Sequence, residues 1–144
     1  MNIFTSKFLW ALYLSLILTG GAWAEEGDEE EGGAAPVAQY YDLSPAFVAN
    51  FGGGKSKKLK FVKADISVRS SIASAINEVT NHDPLVRHQI VMLLSRQTEQ
   101  SLSTPAGQEA LRVEALSLVQ AALEKETGSG QIEDLFFTSF VVQR

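Results

Sequence analysis

Residues 58–69 read KLKFVKADISVR, and this stretch decides the fold class of the chain. Apolar and polar side chains alternate along it, which is typical of a strand with one buried face. The inward positions are Val62, Ala64, Ile66 and Val68. Leu59 and Phe61 lie on the opposite phase, so we expect a bulge or a change of pairing partner near residues 61–62.

The segment before this strand, residues 40–51, also has the pattern of an extended chain. Ser44-Pro45 interrupts it. Because proline cannot donate a hydrogen bond to a strand ladder, we expect this segment at an edge of the sheet. Gly52-Gly53-Gly54 then predicts a flexible turn into the next strand.

The last segment, residues 132–143, is apolar on both strand phases. One phase carries Phe136, Phe140 and Val142, and the other carries Leu135, Phe137 and Val141. Such a pattern indicates a strand covered on both faces. It predicts either a central place in the sheet or a partner chain over one face.

Helical spacing fills the region between these strands. The first predicted helix carries Ile72, Ile76 and Val79 at steps of four and three residues. The second starts at Asp83-Pro84, where Asp83 is expected to cap free amides and Pro84 fits the first helical position. Its apolar stripe consists of Val86, Ile90, Leu93 and Leu94.

A third helix is predicted from Pro105 to Glu126, after the capping residue Thr104 and before the breaker Gly128-Ser129-Gly130. Its stripe is Leu111, Ala115, Leu118 and Ala122, widened by Leu116, Val119 and Leu123. The whole pattern predicts an α+β fold class, with a single small domain of about three strands and three helices over residues 40–144.

The N-terminus indicates export. Lys7 precedes the apolar stretch Phe8–Leu18, and Ala22-Trp23-Ala24 places small residues where signal peptidase cleaves. Residues 1–24 are therefore expected to be a signal peptide or a retained membrane anchor, although a span needs about 20 apolar residues, more than this stretch provides. Either way, the positive-inside rule predicts that the rest of the chain lies across the membrane from the cytoplasm, which argues against nucleic acid as a partner.

An acidic segment follows this N-terminal stretch. Six of the 17 acidic residues of the chain lie within Glu25–Glu31, whereas only one of the 12 basic residues precedes them. The formal net charge of -5 therefore belongs mainly to this segment. Because residues 25–39 lack an apolar pattern, we expect a flexible acidic linker, and metal binding by the acidic run stays open as an alternative.

Few residues are suited to catalysis. The chain has no cysteine, which excludes disulfides, thiolate metal sites and a cysteine nucleophile. His82 and His88 are spaced poorly for a metal and lie near a predicted helix start. Gly52-Gly53-Gly54-Lys55 lacks the spacing of a phosphate loop, and no serine lies in a G-x-S-x-G context. The sequence therefore names no catalytic, cofactor-binding or metal-ligating residue, and it predicts a protein that is not an enzyme.

The basic residues form one cluster in the sequence. It consists of Lys55, Lys57, Lys58, Lys60 and Lys63. Lysines on an exposed strand edge protect it against unwanted pairing, and this is the first interpretation. The second is that the cluster binds an acidic partner or the anionic membrane surface.

Four stretches resemble the FliL family, in the order in which that family has them. The first, YYDLSP at residues 40–45, looks like the opening of the family's periplasmic domain. The second, HDPLVR at residues 82–87, is similar to its mid-domain helix start. The third, LSTP at residues 102–105, leads through Gly107 into the family's third helix. The fourth, FFTSFVVQ at residues 136–143, resembles its terminal strand.

The resemblance implies a stomatin-like (SPFH) fold and a homo-oligomer, such as a ring, on the periplasmic side of the inner membrane. It implies flagellar stator and basal-body proteins as partners, with a role in swimming, swarming and chemotaxis. It implies neither a cofactor nor an enzymatic activity. The family usually keeps an N-terminal transmembrane helix, so cleavage here would leave attachment to the motor to protein contacts alone.

Two other functions stay open at this point. A periplasmic scaffold or adaptor of the same fold, serving another envelope complex, would fit a chain whose N-terminal anchor is removed. A small periplasmic hydrolase using Ser, His and Asp is the other, because such triads assemble in space and not along the chain. Gene neighbourhood would separate the first from a flagellar role, and inactivity on ester and peptide substrates would remove the second.

Overall fold

The computed structural model describes residues 36–52 and 58–144. The elements are β1 (Gln39–Asp42), β2 (Phe47–Asn50), β3 (Phe61–Ser70), α1 (Ala73–Asn81), α2 (Asp83–Ser95), α3 (Glu99–Ser103), α4 (Pro105–Thr127) and β4 (Asp134–Gln143). The predicted α+β class is confirmed, but these ranges contain four strands and four helices in place of three of each. The predictions for residues 1–24, most of the predicted linker and Gly53-Gly54 lie outside the described residues.

Strand β3 is the centre of an antiparallel sheet. It pairs with β4 from Phe61 to Arg69, so β1 and β2 must share its other edge. The predicted central place for the last strand is therefore wrong, because β4 pairs with β3 alone among the described strands. One face of β4 packs on the core and the other lies on the opposite side of the sheet. Apolar side chains on both faces therefore do not require a neighbouring strand along each edge.

The first extended segment lies at the sheet edge, as predicted, but it is divided into two strands. β1 pairs with residues Ser67–Ser70 and β2 with residues Phe61–Ala64 of the same neighbour. The residues between them contain a cis Ser44–Pro45 bond, and the backbone N–H of Leu43 donates to the Ile66 carbonyl at 2.9 Å. This interruption accounts for the fourth strand.

The β3–β4 pairing contains a bulge between Asp65 and Ile66, opposite residues 137–139 of β4. The predicted position near residues 61–62 is wrong, because Leu59 precedes the strand and Phe61 lies within regular pairing. Thr138 is the extra residue on β4, since its neighbours pair with adjacent residues of β3. A bulge reverses the phase of a strand. The core-facing side chains of β4 are therefore Leu135, Phe137, Phe140 and Val142.

One face of the sheet carries the core. The predicted inward residues of β3, Val62, Ala64, Ile66 and Val68, are all buried. The helices pack on this face through Ala75 and Val79 of α1 and through four residues of α2, namely Val86, Ile90, Leu93 and Leu94. That α2 stripe is confirmed. Ile72, by contrast, is the extended N-cap residue before α1 and is 40% exposed.

Helix α4 matches the predicted third helix in extent, and its buried residues all belong to the predicted apolar set, although the centre of the buried stripe is shifted. The buried residues recur at every fourth position, and they are Leu111, Ala115, Val119 and Leu123. Leu118, which was predicted at the centre of the stripe, is partly buried. Both sets fit a helical period, and only the packing of the sheet against the helix decides between them.

The helix ends were predicted in two cases out of three. Thr104 caps α4 by accepting from the Gly107 N–H at 3.1 Å, and Gly128 ends the helix with a φ of 77°. Asp83, however, does not cap α2. It is the first residue of that helix, and its carboxylate instead accepts from Arg87 Nε at 2.9 Å.

Helix α3 was not predicted. Thr98 and Ser101 cap it reciprocally, and Leu102 anchors it with a fully buried side chain. Its five residues are too few to show an apolar period, so the capping pair was the only available signal.

Candidate assembly surface

The face of the sheet opposite the helices carries exposed apolar side chains. Val48 and Val141 both pair with Lys63, one from each side, and they are 58% and 51% exposed. Tyr40, which is 62% exposed, lies 6.3 Å from Phe136 between ring centroids. Directly opposed residues of neighbouring strands lie on the same face. These residues therefore share one face of the sheet with Lys63 and Arg69, and this face is called the outer face below.

Polar contacts hold the centre of the outer face. The hydroxyl of Ser67, which is only 5% exposed, donates a hydrogen bond to the Asp42 carboxylate. These two residues face each other in the β1–β3 register. This side-chain hydrogen bond adds to the backbone pairing between β1 and β3.

Glu133 stabilises the end of the outer face where β3 turns into α1. Its carboxylate accepts from the Ser71 N–H at 2.9 Å and lies 3.4 Å from Arg69. The hydrogen bond from the Ser71 backbone is the main cause that lowers the pKa of Glu133, and the charge of Arg69 adds to it. The charged form of this carboxylate therefore favours the folded chain.

Arg112 of α4 covers the first part of the β4 edge. Its guanidinium binds the Asp134 carboxylate, approaches the Leu135 carbonyl at 3.4 Å and pairs with Glu109 at 2.7 Å. Hydrogen bonding to Glu109 is the main cause that raises the pKa of Arg112. Beside it lies an open groove of about 290 Å³, lined by Pro105, Gln108, Glu109, Arg112, Phe136 and Phe137.

The second part of the β4 edge, from Thr138 to Gln143, pairs with no other described strand on its outer side. None of its residues is charged, and Thr138, Val141 and Gln143 are exposed. An unpaired strand edge presents backbone N–H and C=O groups that can pair with another chain. This segment, residues 138–143, is called the open edge below.

A larger open groove lies at the far end of the domain. It has a volume of about 540 Å³ and is lined by Phe51, Gly52, Lys60 and residues 95–99. Lys60 pairs with Glu99 at 2.7 Å, and Arg144 lies 3.3 Å from the same carboxylate. The hydrogen bond from Lys60 is the main cause that lowers the pKa of Glu99.

Of the lysine cluster, the described Lys60 and Lys63 do not lie on an exposed strand edge, where the first interpretation expected them. Lys63 lies on the central strand, with β2 on one side and β4 on the other. Lys60 precedes that strand and is engaged by Glu99. Lys55 and Lys57 lie outside the described residues, so binding of an acidic partner or a membrane by the cluster stays a prediction.

The two histidines occupy ordinary helix positions. His82 lies between α1 and α2, where its backbone N–H donates to the Glu78 carbonyl at 2.9 Å, and His88 is exposed on α2. Within residues 36–52 and 58–144, no three His, Asp or Glu side chains gather in a way that could hold a metal ion. Over the same ranges, no helix has the length and apolarity needed to cross a membrane.

The structure brings the family-like stretches into contact in pairs. Arg87, from the second stretch, donates to the Pro45 carbonyl of the first at 2.8 Å and lies 4.7 Å above the centre of the Phe47 ring. Arg144, directly after the fourth stretch, donates to the Ser103 hydroxyl of the third at 3.4 Å. Residues in or next to stretches that are far apart in sequence therefore contact each other at two places in the domain.

The fold and these surfaces define a class of protein. It is a small α+β domain with helices on one sheet face, exposed apolar side chains on the other and an open strand edge. Such features suit contact with other proteins.

Comparison with known proteins identifies the family. The sequence model described as flagellar basal body-associated protein FliL matches residues 40–143. The chain is also 30% identical over 109 residues to the flagellar protein FliL of Aquifex aeolicus (strain VF5), a match that covers 74% of this chain and 63% of that relative. The chain therefore belongs to the FliL family of flagellar basal body-associated proteins. This is a family of flagellar accessory proteins that is not known for enzymatic activity.

Proposed function

We propose that this chain supports the flagellar motor from the periplasmic side of the inner membrane, where it contacts stator and basal-body proteins and assembles with copies of itself. The observation that carries the proposal is the family match, which runs from the first strand to the last. The proposed role is to assist stator engagement, and through it swimming, swarming and chemotaxis. The SPFH-like character of the fold belongs to the same proposal.

The distribution of side chains supports a role in assembly. The apolar residues of the outer face are Tyr40, Val48, Phe136 and Val141, and they lie on a sheet held together by the Ser67–Asp42 contact. The charged residues Glu99, Arg112 and Glu133 are each engaged in pairs that join elements of the domain. These pairs stabilise the fold. The outer face and the open edge are then the surfaces left for contact with partners.

Export of the domain is part of the proposal. Residues 1–24 would act as a signal peptide or anchor, and residues 25–39 as an acidic linker between the membrane and β1. A reporter fused after Arg144 tests this, because enzymes such as alkaline phosphatase work only outside the cytoplasm. An alkaline phosphatase fusion that is made at full length but stays inactive would overturn the periplasmic location.

Deletion of the gene tests the flagellar role. We expect reduced swimming in soft agar or reduced swarming on a surface, with flagella still assembled, and recovery when the wild-type gene is restored. Rotation of tethered cells would show whether torque falls. Unchanged motility in liquid and on surfaces contradicts the proposal, and an envelope defect without a motility defect would favour the scaffold of another complex.

A further inference from the structure

We propose that the open edge, residues Thr138–Gln143 of β4, pairs antiparallel with the same segment of a second copy of this chain. This inference rests on the self-assembly proposed above and names the surface that performs it. The two sheets would join into one, with β4 of each copy at the centre and β1 and β2 at the two outer sides.

The two outer edges of the sheet are not equivalent as templates for pairing. The β1–β2 edge is divided at residues 43–46, contains Pro45 and carries the charged Asp42. Proline and charge are the usual features that protect a strand edge. From Leu135 to Gln143, β4 has neither. The open edge is therefore a continuous, uncharged template for pairing, whereas the opposite edge of another copy is divided.

Arg112 limits where a second strand can pair. Its guanidinium occupies the edge beside Asp134 and Leu135, so the first part of β4 is covered by its own chain. The bulge at Thr138 marks the boundary between this covered part and the open edge. A partner strand is therefore directed to the last six residues of β4, where exposed Val141 lies on the outer face.

The charges at the two ends of β4 favour antiparallel pairing with itself. Asp134 and neighbouring Glu109 lie at one end, and Arg144 follows the other end with a side chain that is 64% exposed. Antiparallel alignment brings the acidic end of each copy towards the basic end of the other. Glu109 pairs with Arg112 and Arg144 pairs with Glu99 within one chain, but their side chains stay 61% and 64% exposed, so each can also meet the other across the two copies.

Pairing of identical segments has a geometric consequence. A twofold axis through the paired edge makes the contact isologous, so it closes on two copies. Both helical layers then lie on the same side of the joined sheet, and the two outer faces lie together on the other side, where Val48 and Val141 flank Lys63 in each copy. A ring would need a second contact between such dimers, for which the joined outer face is the available surface.

A single-cysteine experiment tests the contact, because the chain has no cysteine of its own. Residue 141 of each copy would lie within about 8 Å of the other across the axis. We expect full-length Val141→Cys to form a covalent dimer on mild oxidation or with a short thiol cross-linker. Val48→Cys is the matched control, since Val48 flanks the same Lys63 on the same face with similar exposure, but at the opposite edge.

A charge substitution tests the same contact without covalent cross-linking. Val141→Lys should raise the dimer dissociation constant roughly tenfold in sedimentation experiments, because it places two ammonium groups near the axis. Val48→Lys should leave it unchanged, and circular dichroism should show that both variants are folded. Equal cross-linking or equal dissociation for the two positions would overturn the proposal, as would a monomeric wild-type chain.

The outcomes separate this inference from the proposed function. Loss of motility on gene deletion, combined with a monomer that does not cross-link at residue 141, would support the flagellar role and overturn the β4 contact. Normal motility with specific cross-linking at residue 141 would do the reverse. Loss of motility in Val141→Lys without any dimer in the wild type would assign the open edge to a different protein, and so also overturn pairing with a second copy.

Discussion

Arg87 Nη1 donates a 2.8 Å hydrogen bond to the carbonyl oxygen of Pro45, and this bond fastens helix α2 to the break between β1 and β2. The same guanidinium makes two further contacts. Its Nε pairs with Asp83 at 2.9 Å, and its central carbon lies 4.7 Å from the centre of the Phe47 ring. One side chain thus meets a backbone carbonyl, a carboxylate and an aromatic ring. The division of the first strand is held from the helical layer.

Replacing Arg87 should therefore destabilise the domain. We expect Arg87→Ala to lower the free energy of unfolding by about 1–3 kcal/mol, since it removes a charged hydrogen bond and a cation–π contact. Arg87→Lys should lose less, because it keeps the charge but not the planar fork. Chemical unfolding followed by circular dichroism measures both. Arg96→Ala, an exposed arginine just after the same helix, is the control, and an equal loss there would contradict the assignment.

Stability should fall in acid through Glu133. The pKa of this carboxylate is below its ordinary value of 4.5, mainly because the Ser71 N–H donates to it. Its charged form therefore stabilises the fold above that value, and the contribution is lost as the pH falls through the folded-state pKa. We expect Glu133→Gln to be less stable than the wild type at pH 7 and to converge with it in acid. Parallel stability curves at all pH values would rule this out.

Gly107 should tolerate no side chain. A Cβ there would lie 2.2 Å from the Ser101 carbonyl oxygen, where α4 passes α3. Gly107→Ala should cost more than about 2 kcal/mol, because two backbones would have to separate. Gly128→Ala is the comparison: its φ of 77° is strained for alanine, but no atom lies within 4 Å, so the cost should be about 1 kcal/mol. Thermal unfolding would show whether this order is reversed.

Leu102 should matter more to stability than the shortness of α3 suggests. Its side chain is fully buried in the core, whereas Leu59 is 82% exposed. We expect Leu102→Ala to cost about 2–5 kcal/mol and Leu59→Ala to change little, because only the first leaves a cavity. Denaturant midpoints of the two variants test this pair. Similar midpoints would mean that α3 is not anchored as described.

Much of the fold was accessible from local patterns. The alternation in β3, the stripe of α2, the extent of α4 and the glycine that ends it were predicted and are confirmed. These features depend on residues within a few positions of each other, where strand and helix periods constrain the choice. Family membership was also suspected from four short stretches, and the match over residues 40–143 confirms it.

The errors fall where contacts in the folded chain override a local sequence pattern. Asp83 had the residue type of a helix cap, but Arg87 one turn later takes its carboxylate. Phe136 and Phe140 were predicted on the same face of the strand, but the bulge at Thr138 places them on opposite faces. Helix α3 had too few residues for a period and is held by Leu102, whose neighbours lie elsewhere in the chain.

The sequence by itself determined the α+β class, the strand β3 and its buried side, the helices α2 and α4, and the family to which the chain belongs. Only the tertiary structure decided the order of the strands and therefore which edge stays open. Strand order depends on pairing between β3 and segments far away in the chain, such as Gln143 opposite Phe61. The sequence pattern of a strand does not indicate which strand it pairs with, because the same alternation of apolar and polar residues fits a central strand and an edge strand.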